Sequence, residues 1–148
     1  MASIMELSDL YSEKILEIVA NAPKGERLDM PDATARKTSR VCGSVVEVDL
    51  KLEDGMIADF GHSVSACALG QTTTAIVARN ILGAPGAEMR RVRAEMEAML
   101  KADGAPPTGE RWTDLRYLEP VRDFPNRHAS TLLVFEAVVA ALDTIESR

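Results

Sequence analysis

The stretch VCGSVVEVDLKLEDGMIADFGHSVSAC (residues 41–67) decides the fold. Two alternating runs, 43–52 and 56–64, carry Val46, Val48, Leu50 and Leu52 and then Ile57 and Phe60. They flank Glu53-Asp54-Gly55, where glycine supplies the positive φ of a tight turn. The pattern predicts an antiparallel hairpin. Residues 34–41 add a third strand before it, half solvated because it carries Lys37 and Arg40.

Outward from the hairpin the periodicity becomes helical. Before it, residues 9–21 place Leu10, Ile15, Ile18 and Val19 on one face, and Pro23 and Gly25 end the run. Residues 22–32 read as a connecting loop. After it, a helix over 66–82 offers Leu69, Ile76, Val77 and Ile81, with Gly83 to stop it. A helix over 86–102 carries Met89, Val92, Met96 and Met99 as a core stripe and Glu97 and Lys101 as an i,i+4 pair. Residues 103–109 form a loop, 113–118 a short helix leading to Pro120, and 126–146 a last helix stacking His128, Leu132, Phe135, Val139 and Leu142. Strands followed by helices predict an α+β fold: a small antiparallel sheet of about three strands with helices packed on one face. The 148 residues suit a single domain spanning 1–148.

Seventeen Lys and Arg against 23 Asp and Glu give a net charge of −6, so the chain lacks the cationic surplus on which nucleic-acid affinity rests. The basic run Arg90-Arg91-Val92-Arg93 is interleaved with Glu88, Glu95 and Glu97 and reads as a solvated helix face. The most apolar stretch, 129–142, is interrupted by Glu136 and is shorter than the ~20 residues of a membrane span. The first residues, MASIMELSDLYSEK, lack the basic and apolar regions of a secretory signal, so a cytoplasmic protein is expected. No internal repeat is evident.

The chain has two cysteines, Cys42 and Cys67. In a reducing compartment such a pair suits a thiol or metal site better than a disulfide, although buried free cysteines are common. Cys42 precedes the first hairpin strand and Cys67 follows the second, so the hairpin should make them neighbours despite their separation in sequence. Cys67 also falls in the first turn of a predicted helix, where a thiolate is favoured over a thiol. Gly43 either gives the backbone room to bend around a bound atom or makes a β-bulge. His128 opens the last helix on its core side, either as a metal ligand or as a hydrogen-bonded core residue. His62 shares a strand face with Phe60 and Val64 and ranks below it. Asp49, Glu53, Asp54 and Asp59 read as solvent-facing residues around the hairpin turn, so no catalytic pair is picked out. There is no phosphate loop, H-E-x-x-H, C-x-x-C or G-x-S-x-G.

Taken together, Cys42-Gly43, the alternating Val46, Val48 and Leu50, the run Glu53 to Asp59, and Ala66-Cys67 opening a small-residue helix resemble the IscU/NifU N-terminal family of iron-sulfur cluster assembly scaffolds. The likeness runs from the N-terminal helix bearing Tyr11 to the last helix. Leu118-Glu119-Pro120-Val121-Arg122 loosely resembles the family's chaperone-binding segment, and His128-Ala129-Ser130 its His-Cys-Ser motif.

The resemblance implies a non-enzymatic protein that binds iron, a [2Fe-2S] cluster or zinc through Cys42, Cys67 and His128. Its implied partners are a cysteine desulfurase, cluster acceptor proteins and a chaperone. The family's third cysteine is replaced by Ala129, its Cys-Gly-Asp reads Cys42-Gly43-Ser44, and its Asn-Pro before the first cysteine reads Ser39-Arg40. Two thiolates and an imidazole leave a four-coordinate metal one ligand short, to be supplied by water, sulfide or a second subunit of a homodimer. Two other readings follow from the same resemblance: a zinc-dependent sulfur acceptor for the desulfurase, and a degenerate paralogue that docks assembly proteins without metal.

Overall fold

Asp54 and Gly55 both have positive φ, 52° and 78°, the geometry of a two-residue turn whose twist matches that of antiparallel strands. It joins β2 (Val45–Glu53) to β3 (Met56–Ser65), and β1 (Ala33–Thr38) pairs antiparallel with the other edge of β2. The sheet order is β1-β2-β3. The computed structural model describes residues 11–40 and 43–147. The predicted start of the first helix at residue 9, the predicted end of the first strand at Val41, and Cys42 lie outside the described residues.

Val46, Val48 and Leu50 are fully buried on one face of β2, opposite Val64, His62 and Phe60 of β3. Ile57 and Phe60 are three residues apart and in a regular strand would point to opposite faces. A register shift, from Lys51↔Asp59 to Leu52↔Ile57, makes Ala58 an extra residue and lets Ile57 reach the core as well.

On that face lie the helices: α1 (Glu13–Ala20), α2 (Ala68–Asn80), α3 (Gly86–Lys101) and α4 (His128–Glu146). Ser12 caps α1 by accepting from the Ile15 N–H at 3.3 Å. Met89, Val92, Met96 and Met99 are completely buried, so the methionine stripe is core. By length and composition the stretch Pro125–Glu146 would suit a membrane span. It is the central core helix instead, because α4 packs against β1 and β2 on one side and α2 and α3 on the other.

Two expectations for these helices change. The basic run of α3 is not simply solvated: Arg93 forms a two-pronged ion pair with Glu136 of α4 at 2.9 and 3.0 Å, and Arg90 reaches Asp143 and Glu146. The short helix expected at 113–118 is a 3-10 segment over Glu110–Asp123. Trp112, Leu115, Leu118 and Val121 are buried along it, and apolar residues every third position make one stripe only where there are three residues per turn.

A larger correction concerns Asp49, which is 1% exposed and not a solvent-facing residue. After α1 the chain wraps the β3 edge, where Glu26 O accepts from His62 N–H at 2.9 Å, and crosses the face away from the helices to reach β1. Asp49 holds this strap. Its carboxylate accepts from Arg27 at 2.6 and 2.9 Å, from the Leu28 N–H at 3.0 Å and from the Thr34 hydroxyl at 2.6 Å. The strap lies so close that a Cβ on Gly61 would sit 2.7 Å from Leu28 N and 2.8 Å from Glu26 O, so only glycine fits there.

The hydrogen bonds from Arg27 outweigh burial and hold the Asp49 carboxyl down to about 2, against 3.8 ordinarily. A depressed folded-state value stabilises the protein above the ordinary carboxylate range, and that stability is lost as pH falls through about 4 to 2. Asp49→Asn should cost about 2 kcal/mol at neutral pH, less than a fully buried pair, because Arg27 is 42% exposed and regains water. Denaturant titrations at pH 7 and pH 3 should show the gap between wild type and variant shrinking in acid.

Candidate functional site

The pairing of Val45 with Ser65 brings the start of β2 and the end of β3 to one end of the sheet. The β1–β2 turn closes there, with Ser39 N–H donating to Ser44 O and Gly43 N–H to Ser39 O, both at 2.8 Å. Gly43 has φ 69°, and among the described residues nothing lies within 4 Å of an added Cβ, so the backbone angle is what calls for glycine. Ser44 is buried, 1% exposed.

Two residues beyond β3, Cys67 is the N-cap of α2, with φ −65° and ψ 170°, and its carbonyl accepts from Gln71 N–H at 3.0 Å. The thiol thus stands where the first N–H groups of a 13-residue helix project positive potential. It is half-buried, and its sulfur lies 3.5 Å from the Ser130 hydroxyl in the first turn of α4. Gly70 makes this meeting of helix ends feasible: a Cβ there would lie 2.8 Å from the Ala66 Cβ and 3.2 Å from Ser130 O.

Ala129, next to Ser130, is exposed at the same helix start. His128 is buried, and its Nε2 lies 3.1 Å from both Val121 O and Arg122 O. It therefore ties α4 to the end of the 3-10 segment, and Nδ1 is the ring nitrogen left over. Residues two apart on a helix point about 200° away from one another, so the first turn of α4 aims His128 and Ser130 in different directions.

His62 is also buried, but within β3 opposite Val48. Its ring stacks on Phe60 at 5.5 Å, beside Gly25 of the strap, and burial keeps its imidazole below the ordinary histidine range. It is a packing residue at the β3 edge, where the strap begins. Among the described residues, no three His, Cys, Asp or Glu side chains gather as a metal-binding group. Ser130 and Gly70 were not picked out from the sequence as site residues. The signals are the place of Ser130 in the run His128-Ala129-Ser130 and, for Gly70, a glycine inside an otherwise good helix, which marks a close approach of backbone.

No family model matches the chain. The crystal structure of a nitrogen-fixing NifU-like protein (N-terminal) from Brucella abortus superposes with a TM-score of 0.93 at 46% identity, covering 96% of this chain and 98% of that one. The chain belongs to the IscU/NifU N-terminal family of iron-sulfur cluster assembly scaffolds. Within this family, the iron-sulfur cluster assembly scaffold protein IscU of Thermotoga maritima is 23% identical over 138 residues, 92% of this chain and 94% of that protein. The same fold recurs, with a TM-score of 0.82 at 18% identity, in a SufU scaffold of Fervidobacterium islandicum AW-1, over 93% of this chain and 99% of that one. The three-stranded sheet with helices on one face is the scaffold fold expected from the residues.

His128→Ala leaves two carbonyls without their donor and should lower stability by about 1–3 kcal/mol. His128→Gln, whose amide nitrogen reaches a similar position, should recover most of the loss in a denaturant titration.

Proposed function

We propose that the chain is a non-enzymatic member of the scaffold family that takes up a [2Fe-2S] cluster as cargo on Cys67 and Cys42 and hands it to acceptor proteins. A cysteine desulfurase supplies the sulfur, and the setting is the cytoplasm, where thiols stay reduced. The observation that supports this reading is the place of Cys67: the N-cap of α2, half-buried beside the first turn of α4, in a chain that shares 46% of its residues with a NifU-like N-terminal protein.

The donors limit how the cargo is held. The sequence has two cysteines, while a [2Fe-2S] cluster takes four protein ligands. Neither Ser44 nor Ala129 supplies a carboxylate or a thiolate. His128 donates through Nε2 to two backbone carbonyls, so it joins only through Nδ1 or after leaving them. Two chains, each giving two thiolates, complete the set at an exposed end of the fold. Zinc or a single iron needs the same four positions and meets the same shortfall.

One observation favours a second reading, that of a paralogue which docks assembly proteins and holds no metal: Ala129, at the position the resemblance gives to the family's third cysteine, is exposed. The two readings part on one variant. Cys67→Ser should abolish uptake of iron and sulfide in protein loaded without oxygen while the circular dichroism spectrum stays that of the wild type. Equal iron in variant and wild type would overturn the cluster reading. Partner binding that survives Cys42→Ala together with Cys67→Ala, in protein that never takes up iron, would establish the docking paralogue.

A further inference from the structure

We infer that the outer edge of β1 is a docking site for an extended, acidic segment of a partner protein, which adds to the sheet as a further strand. A sheet ordered β1-β2-β3 has two edges, and this fold treats them differently. The β3 edge is covered by other parts of the chain: near its start Ile57 N–H donates to Ala84 O and Gly83 N–H to Ile57 O, and further along His62 N–H donates to Glu26 O. The β1 edge is open. Ser39 N–H donates to Ser44 O at 2.8 Å in the same register that sets Thr38 opposite Val45, and in an antiparallel ladder hydrogen-bonded pairs alternate with non-bonded ones. Ala33, Ala35 and Lys37 therefore turn their backbone groups to β2, while Thr34, Arg36 and Thr38 turn theirs outward. Among the described residues the outward N–H and C=O groups of these three have no hydrogen-bond partner, and all three residues are exposed.

The side chains decide what fits there. Arg36 is 62% exposed, and Glu47, its carboxylate partner at 3.8 Å, is held more closely by Arg27 at 3.1 Å. Lys37, on the other face of the strand, and Arg40, in the turn beyond it, are exposed, and among the described residues neither forms an ion pair. A cluster of cations thus flanks the open edge of a chain whose net charge is −6. In strand addition the backbone hydrogen bonds supply affinity and the side chains supply selectivity. Cross-strand neighbours of opposite charge stabilise a pair and like charges oppose it, so carboxylates facing Arg36 and Lys37 are favoured. A second copy of this chain is disfavoured, because antiparallel self-pairing sets Arg36 against Arg36 or against Lys37. Self-pairing would also send the two β1–β2 turns to opposite ends, away from any shared cluster. β1 runs into the turn at the same end of the sheet as Cys67, so an added strand is held alongside the thiol end. That use rests on the proposed function, while the pairing itself needs no cysteine.

The test is a nuclear magnetic resonance titration of the isotopically labelled full chain with two blocked peptides, threonine-valine-glutamate-glutamate-valine-threonine and the same sequence with lysine in place of glutamate. Before peptide is added, the Thr34, Arg36 and Thr38 amides should exchange with solvent faster than those of Ala35 and Lys37. The glutamate peptide should shift and protect those three amides and bind about tenfold more tightly than the lysine peptide. Arg36→Glu together with Lys37→Glu, at exposed positions that leave the core intact, should reverse the preference. Slow exchange of the three amides in the protein alone overturns the inference, because the edge is then already covered, by this chain if the protection holds at every concentration and by a second copy if it grows with concentration. Equal binding of the two peptides, an unchanged preference in the double variant, or no perturbation of β1 by either peptide at millimolar concentration overturns it as well. Because neither peptide carries a thiol or a metal, the outcome is separate from that of cluster uptake by Cys67→Ser.

Discussion

The pairing of Val45 with Ser65, at the end of the β2–β3 ladder opposite its turn, is the constraint on which the thiol end depends. It is fixed far away, where the positive φ of Asp54 and Gly55 sets the turn and the buried Val46, Val48 and Leu50 permit one register only, since a slip of one residue would send them to the other face. Once the register is set, the chain leaves β3 beside the β1–β2 turn and enters α2 with Cys67 as its cap. Position is therefore inherited from the sheet, while chemistry comes from the helix ends laid against it.

Those helix ends are brought together by what is missing from side chains as much as by what is present. Gly70 has no Cβ, so α2 and α4 approach until Ser130 meets Cys67. On the far face Gly61 does the same for the strap, and Asp49 locks the strap with Arg27, Leu28 and Thr34. The strap carries the chain from α1 on the helix side to β1 at the opposite sheet edge. The arrangement is a closely packed frame with a small set of donors at one end.

Much of this was legible in the sequence because the signals are local. Alternation on both sides of Asp54-Gly55 gives the hairpin, and methionines at three- and four-residue spacing give the buried face of α3. Cys67 could be placed at a helix start for the same reason. What failed depends on distant partners. Asp49 reads as a surface carboxylate until Arg27, 22 residues earlier, is folded onto it, and Arg93 reads as solvated until Glu136 arrives from α4. His128 reads either as a metal ligand or as a hydrogen-bonded core residue, and the sequence does not choose between them because its partners are backbone carbonyls, which no residue type announces. The 3-10 segment is different: its apolar residues at 112, 115, 118 and 121 were visible, yet so long a 3-10 run is uncommon enough that a short helix is the ordinary reading. The family resemblance, drawn from the cysteines and the hairpin, stands at 46% identity to a solved NifU-like protein.

A family fold with two thiols in place of a fuller ligand set puts the weight on how four ligands are found. The most direct measurement is a native mass spectrum of protein loaded with iron and sulfide without oxygen. Two chains carrying one [2Fe-2S] unit, reverting to single chains when the cluster is removed, is the result expected if each chain gives Cys42 and Cys67. A single chain carrying the whole cluster, or a chain that takes up neither iron nor sulfide, would contradict it.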